Sequence, residues 1–482
     1  MVFNKTETKI FFTIWIIYIF FMSSYSGSWT SDPVIAESLS LVENHTFNID
    51  GYLPEECKQY GCDTAFFRGH FYSGFAPGGT FMMLPLLFIA KPLFMSLPDY
   101  FMGYSYTRLS LILATMLGII FIVSLLSALL SVYVYRFAGY LTASKRIKLL
   151  TVFTFAFGTL IFVYSTEYNT RVIGASLNFI AFFILFRCKH DNNIKNSSLF
   201  LAGLLCGIAV FTEYTQVLIV FFVFMYLLTF LRDRRIFYFI FGGFLIFLAF
   251  ISYHYFVFGG LFSTAYDYRA DKIAVQDVNY GFYSAYFPTG EALWGLSLSP
   301  EKGLLLYVPI SILSLIGAFL ALKRGREYRY FAEVLIIIGI CVVLFLYNSS
   351  LGPGNWRANC GFGPRYLISI MPFLILPAIF AFGKINFKIT LLFSGASVFV
   401  NLLPALYGTT VLWKSFDKMG CNSDNAIFKE YIPLLFDRGV TNFTLNLIKY
   451  RIYDLPVYVI NIIAISLLAL LGFLIWLIWR RE

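Results

Sequence analysis

The sequence predicts an all-α fold: a polytopic helical membrane protein of about twelve transmembrane helices, with a long first extracytoplasmic loop carrying juxtamembrane helices. Three observations carry that prediction. Of 482 residues, 59% are hydrophobic and only 13% charged, more apolar surface than one water-soluble core can hide. Apolar runs of about 18 residues or more, each enough to cross roughly 30 Å of hydrocarbon, recur from one end of the chain to the other. Lys and Arg collect in short loops that alternate with longer, more acidic ones, as they do when the short loops face the cytoplasm.

In chain order the expected spans are 10–27, 106–135, 149–165, 172–187, 198–213, 215–231, 236–256, 304–322, 330–348, 365–383, 388–409 and 456–479. The first is flanked by Lys5 and Lys9 like a secretory signal, but "WTSDP" follows it in place of a small-residue cleavage site, so it reads as a retained anchor. The run 78–96 is apolar too, yet Pro77, Pro85, Pro92 and Pro98 interrupt it; it is expected to lie along, or dip into, the outer face. Asp32 to Leu41 reads as a short amphipathic helix with Pro33 in its first turn and Asp32 as its cap. With no soluble segment, linker or repeat, residues 1–482 form one membrane domain whose outer loops are 28–105, 257–303, 349–364 and 410–455.

The net charge of +10 would point to nucleic acid in a soluble protein; here it reports topology, and no nucleic-acid partner is expected. Inside fall Arg136–Lys148, Arg187–Lys195, Arg232–Arg235, Lys323–Arg329, Lys384–Lys388 and Arg480 with Arg481. Cys57, Cys62, Cys360 and Cys421 fall in outer loops, where pairing is feasible, as do sequons at Asn44, Asn348 and Asn442. No inner loop is long enough for a nucleotide-binding fold, and no P-loop or dinucleotide fingerprint is present. The chemistry therefore belongs to the outer face, where an activated substrate arrives dissolved in the membrane, which fits a lipid-linked donor. The four histidines and outer cysteines show no compact ligand spacing, so neither metal nor cofactor is called for.

Four stretches then point to a class: Asp32 soon after the first span, "DTAFFRGHFYSGFAPGGTFMMLPLL" at Asp63–Leu87, "STEYNTR" at Ser165–Arg171 and "NWRANCGFGPRYL" at Asn355–Leu367. In their order and sidedness the chain resembles the GT-C superfamily of polytopic glycosyltransferases, which includes the protein O-mannosyltransferases and the aminoarabinose transferase of lipid A. The sequence has "SDP" where the family commonly carries a paired acidic dipeptide, and "APGG" where it usually carries Pro-Pro. The resemblance implies a polyprenyl- or dolichyl-phosphate-linked sugar donor, a protein, lipid or glycan acceptor, and a site at the extracytoplasmic face of the cell membrane or endoplasmic reticulum.

Transfer with inversion needs a carboxylate to take the acceptor proton and cations to stabilise the departing phosphate. Asp32 is the first candidate base because the preceding span fixes its height; Asp63 and Glu167 follow. Arg171, four residues after Glu167, could equally form a helical ion pair with it. Arg365 heads a span, where its guanidinium could grip phosphate or merely snorkel to water. His70 could donate to phosphate or sugar. Tyr72 and Trp356 could stack on sugar or belong to the interfacial aromatic belt, and Glu37 reads as a solvated face or a support for the loop. "GHFYSGFAPGG" reads as the rim of the site, its glycines admitting close approach of backbone to ligand, or as a re-entrant turn with glycines at positive φ. The rivals are a transporter or flippase of an amphiphilic substrate and a ligase using a lipid diphosphate.

Overall fold

The computed structural model describes residues 3–23, 31–101, 103–270, 285–352, 354–358, 361–409, 416–417, 420–421, 425–438 and 457–480. Cys360 and the sequon at Asn442 lie outside them, with most of the loop 410–455. In chain order the helices are α1 (Lys5–Phe20), α2 (Asp32–Glu43), α3 (Glu55–Tyr60), α4 (Gly78–Met95), α5 (Tyr106–Leu141), α6 (Lys145–Phe157), α7 (Leu160–Ser165), α8 (Thr170–His190), α9 (Asn196–Thr212) and α10 (Val217–Leu228). They continue as α11 (Ile236–Phe258), α12 (Gly290–Ser297), α13 (Leu304–Tyr307), α14 (Ile310–Leu322), α15 (Phe331–Ser349), α16 (Met371–Phe382), α17 (Phe387–Tyr407), α18 (Ile432–Arg438) and α19 (Val457–Arg480). The described residues of each expected span are mostly helical, and the chain is a helical integral membrane protein. Among the described residues seven stretches are long and apolar enough to cross a bilayer, α4 among them.

Local chemistry sets several boundaries. Asn4 and Glu7 cap α1 reciprocally, the Asn4 side chain accepting from the Glu7 amide at 2.9 Å and Glu7 Oε2 accepting from the Asn4 amide at 3.0 Å. A π-helical stretch at Ile119–Val123 interrupts α5, and the Ile120 carbonyl there accepts from Trp15 Nε1 at 2.9 Å. The span expected at 149–165 breaks at Gly158 into α6 and α7. Helices α9 and α11 approach closely because a Cβ on Gly203 would sit 1.9 Å from the Phe239 carbonyl oxygen, and one on Gly242 2.2 Å from that of Phe200.

The helices thread so that charged groups gather at the two ends of the bundle. At one end Arg136 grips Glu7 with two hydrogen bonds of 2.8 Å, Tyr140 and Arg187 meet Asp191, and Glu333 accepts from Lys189 and Tyr226 at 2.8 and 2.7 Å, with His190 Nε2 at 2.8 Å. The first long loop covers the other end. There the all-α expectation missed a hairpin of β1 (Thr64–Phe67) and β2 (His70–Ser73), antiparallel with Thr64 opposite Ser73 and Phe67 opposite His70. Arg68 and Gly69 turn it at φ +50° and +86°, the positive-φ pair that a two-residue hairpin requires. A disulfide joins Cys57 to Cys62 just before it. Asn348, offered as a sequon, is buried within α15, its amide donating to the Leu344 carbonyl at 2.8 Å.

Candidate active site at the loop end of the bundle

The sequence places Pro33 correctly in the first turn of α2, but Ser31 takes the cap position and Asp32 is the first helical residue, where the helix dipole favours its negative charge. Asp32 Oδ2 lies 3.6 Å from Arg108 Nη1 on the first turn of α5, with 19% of its side chain exposed. Two residues on, Val34 meets Thr170 and Tyr168 at Gly79. A Cβ on Gly79 would stand 2.7 Å from Thr170 Cγ2 and 3.0 Å from Val34 Cγ1, and the Tyr168 hydroxyl donates to the Gly79 carbonyl at 2.7 Å. A Cβ on Gly78 would come within 2.5 Å of the Phe211 carbonyl carbon. These glycines hold positive φ at neither position; they let α4 lie against other backbone, and so bring Asp32 and the "STEYNTR" turn to one place.

That turn carries Glu167, half-buried, whose carboxyl accepts from the Thr409 hydroxyl. Burial pushes its pKa up, while Thr409 and the nearby Arg365 oppose the shift. The helical Glu167–Arg171 pair that the spacing left open does not form: Arg171 points instead at Glu213, 3.6 Å between Nε and Oε2, and its guanidinium lies 4.6 Å from the Tyr366 ring centre. Arg365 begins a 3₁₀ segment, Arg365–Ile370, that leads into α16. Its stem passes over Gly361, where a Cβ would stand 2.3 Å from Arg365 Cδ. Its amide donates to the Gly363 carbonyl at 2.9 Å, but among the described residues the Arg365 side chain makes no hydrogen bond or ion pair, and its Nε is buried without a partner. Lys302, 2% exposed, donates to the Gly361 carbonyl; burial, with Arg365 as the next cause, brings its pKa down to about 7. Basic side chains from two distant segments, Arg171 on Tyr366 and Lys302 on Gly361, therefore flank the "GFGPRY" turn that carries Arg365.

The other candidates build the walls. Asp63, at φ +56°, accepts from Arg269 Nη2 at 2.5 Å, and the Thr64 carbonyl accepts from the Ala270 amide at 2.9 Å, so the hairpin is clamped to the loop after α11. Arg269 also lies 5.5 Å from the ring centre of Tyr266, which stands close to Arg171 and Glu213. Glu37 is no solvated face: it is wholly buried, accepting from Thr80 at 2.7 Å and Tyr253 at 2.8 Å, which ties α2 to α4 and α11. Burial raises its pKa to about 7. Tyr72 packs edge-on to Phe258, ring centres 5.7 Å apart. His70 lies on the exposed side of the hairpin, Nδ1 2.6 Å from Asp50 Oδ2. Trp356, 3% exposed, covers Gly295 and lies under Arg357, a packing role in this structure.

Sequence reasoning missed Glu213, Arg269, Lys302 and Arg108. Glu213 and Lys302 each sit where an apolar run meets a loop, a place in which charge is ordinarily interfacial. Their pairing with residues tens to hundreds of positions away leaves no local signal. Among the described residues no three His, Cys, Asp or Glu side chains gather closely enough to hold a metal ion.

Residues 101–256 match the family model described as dolichyl-phosphate-mannose-protein mannosyltransferase. No curated protein matches the chain. Among solved structures, ArnT from Cupriavidus metallidurans is 12% identical in its apo state, with 80% of this chain and 61% of that one covered and a TM-score of 0.47. The same protein bound to undecaprenyl phosphate gives 11% identity, 86% and 66% coverage and 0.46. The archaeal oligosaccharyltransferase AglB from Archaeoglobus fulgidus, in complex with an inhibitory peptide and a dolichol-phosphate, gives 13% identity, 94% and 60% coverage and 0.46. The chain thus spans less than two thirds of the length of each. The family match, which starts just before α5 and ends within α11, bears out the resemblance to GT-C glycosyltransferases that the sequence motifs carry.

Proposed function

We propose that the protein is a glycosyltransferase that moves a sugar from a polyprenyl- or dolichyl-phosphate carrier to an acceptor hydroxyl at the extracytoplasmic face, with inversion. The observation that carries this reading is the Arg365 guanidinium, half-buried and without hydrogen bond or ion pair among the described residues, between Lys302 and the Glu167 turn. A buried cation with unused donors is costly unless an anion completes it, and a planar fork suits a phosphate. Arg171, already held by Glu213, and Lys302 add positive charge on the same side.

In the reaction the acceptor oxygen attacks the anomeric carbon as the carbon–oxygen bond to phosphate breaks. The carboxylate of Asp32 takes the acceptor proton, and Arg365, Arg171 and Lys302 stabilise the released phosphate. Asp32 is favoured over Asp63 because Asp63 is committed to clamping the hairpin through Arg269 at 2.5 Å, whereas Asp32 opens α2 soon after the first span, which fixes its height. Glu167 balances the charge of Arg365. Asp63, Glu37 and Tyr72 hold the rim, and the apolar face of α4, with Ile89 and Met95 exposed, is available to the lipid chain.

The test is an assay with radiolabelled polyprenyl-phosphate sugar in membranes containing the protein. Release of polyprenyl phosphate with label moved to an acceptor supports the proposal. Movement of intact donor between leaflets without cleavage would replace it with a flippase, and consumption of a lipid diphosphate alone would replace it with a ligase.

A further inference from the structure

Beneath the cationic cluster lies a chain of buried polar side chains that the proposed chemistry does not use. Asn178 Nδ2 donates to Gln216 Oε1 at 3.0 Å, and Gln216 Nε2 donates to Ser369 Oγ at 2.7 Å. Asn178 and Gln216 are 0% exposed and Ser369 is 3% exposed. Each belongs to a segment that also bears a charged group of the site. Asn178 follows Arg171 by seven residues, two turns along the same face of α8. Gln216 ends the short 3₁₀ segment Tyr214–Gln216, which starts directly after Glu213. Ser369 lies in the 3₁₀ segment headed by Arg365. Three otherwise separate pieces of chain are thus pinned to one another a short distance below the charges they carry.

The local packing is built around Gln216. A Cβ on Gly174, one turn beyond Arg171 on α8, would stand 2.8 Å from both Gln216 Cγ and Cδ, so the glycine makes room for this side chain. The network is also poor value as glue. Asn178 Oδ1 is buried without a partner among the described residues, and two neutral hydrogen bonds inside a helical membrane bundle contribute little net stability. Apolar side chains would fill the same space without an unsatisfied acceptor, but they would not fix the register of three segments.

We infer that Gln216 is a positioning residue: through Asn178 and Ser369 it sets the separation between the Arg171–Glu213 pair and Arg365, and so shapes the site for a phosphate. The inference rests on the transferase reading for the meaning of the site, but it is tested by binding alone. Full-length protein in lipid nanodiscs is titrated with a polyprenyl phosphate and, in parallel, with the matching polyprenol, which lacks the phosphate. Gln216→Met keeps the length of the side chain and removes both hydrogen bonds. It should weaken polyprenyl phosphate about tenfold while leaving polyprenol binding nearly unchanged, with the thermal midpoint lowered modestly because the Asn178 amide and Ser369 hydroxyl lose their partner. In an Arg365→Ala background, with no guanidinium left to position, the same substitution should have almost no effect on phosphate binding. Gly174→Ala, whose Cβ would crowd Gln216 Cγ and Cδ at 2.8 Å and Nε2 at 3.0 Å without removing a polar group, should reproduce the phosphate-selective loss.

Wild-type affinity in Gln216→Met, equal loss for both lipids, or an undiminished effect in the Arg365→Ala background would overturn the inference, as would a wild type that does not distinguish the two lipids. A wild type that prefers the phosphate yet transfers no sugar in the membrane assay would remove the transferase reading and leave the positioning role standing.

Discussion

At Glu37 burial and hydrogen bonding pull in opposite directions, and burial wins, taking the carboxyl from its ordinary 4.5 to about 7 despite donors on Thr80 and Tyr253. Between about pH 4.5 and 7 the folded protein then holds a proton that the unfolded chain has released. The stabilisation is complete below the lower value and is lost as pH rises through the upper one. The expected outcome is a wild-type thermal midpoint that declines over this window relative to Glu37→Gln, with a difference on the order of a few kcal/mol at most. Matched thermal scans at pH 5 and pH 8 measure it; parallel curves would show that Glu37 is charged throughout. For the reaction, Asp32→Asn should abolish transfer and leave polyprenyl phosphate binding intact, since it removes proton acceptance but keeps shape. Normal turnover in that variant would pass the role of base to Glu167 or Asp63. Arg365→Lys, which keeps the charge but loses the fork, should retain part of the turnover that Arg365→Ala loses, by about 100-fold or more. At this scale the sequence singled out Asp32, Glu167, Arg171 and Arg365, and the structure brings all four to the loop end of the bundle. It was not legible for the partners, because Glu213, Lys302 and Arg269 acquire meaning only from contacts far along the chain.

Among the elements, α4 reconciles an apolar run with a segment rich in proline and glycine. It packs along the twelve-residue α2, with the Ser38 hydroxyl 3.3 Å from the Thr80 carbonyl and Lys91 Nζ 3.4 Å from the Val42 carbonyl. Its first residues press on the backbone of Phe211 and Thr212 at the end of α9. Backbone cannot yield as a flexible side chain can, so Gly78→Ala should destabilise the protein by about 1–3 kcal/mol, read as a lowered thermal midpoint in detergent. Gly69→Ala, by contrast, meets no neighbour and should cost only the strain of its positive φ, about 1 kcal/mol. The helices were legible because a bilayer demands long apolar runs. The β1–β2 hairpin was not: "TAFFRGHFYS" lacks Asn-Gly, and its aromatics read equally well as an interfacial belt. The breaks at Gly158 and before Pro309 were likewise hidden inside continuous hydropathy.

For the molecule as a whole, the charge pattern and the threading agree. Glu7, Arg136, Asp191, Lys189 and Glu333 meet at one end, while Asp32, Glu167, Arg171 and Lys302 lie at the other. Both termini are therefore expected in the cytoplasm with residues 28–105 outside. Cysteine probes near Leu97 should be labelled by impermeant reagents from the extracytoplasmic side. Labelling from the cytoplasm alone would make α4 a crossing and reverse every later loop.

The clamp between Asp63 and Arg269 joins residues 206 positions apart. Chains are made at about 5–20 residues per second, so the first loop emerges some 10–40 seconds before its partner exists. During that interval the hairpin is held by its own ladder, by Asp50, which accepts from the Phe71 amide at 2.8 Å and lies 2.6 Å from His70 Nδ1, by the Ile49 amide donating to the Phe71 carbonyl at 2.8 Å, and by the Cys57–Cys62 bond. These local contacts act as a placeholder in time: they are available to keep a local form through the synthesis and insertion of α5 to α11, until Arg269 arrives. The rim of the site is in this sense among the earliest parts begun yet is closed only when more than half of the chain has been made, and a translation pause placed between the two residues would lengthen the interval in which it stands without its clamp.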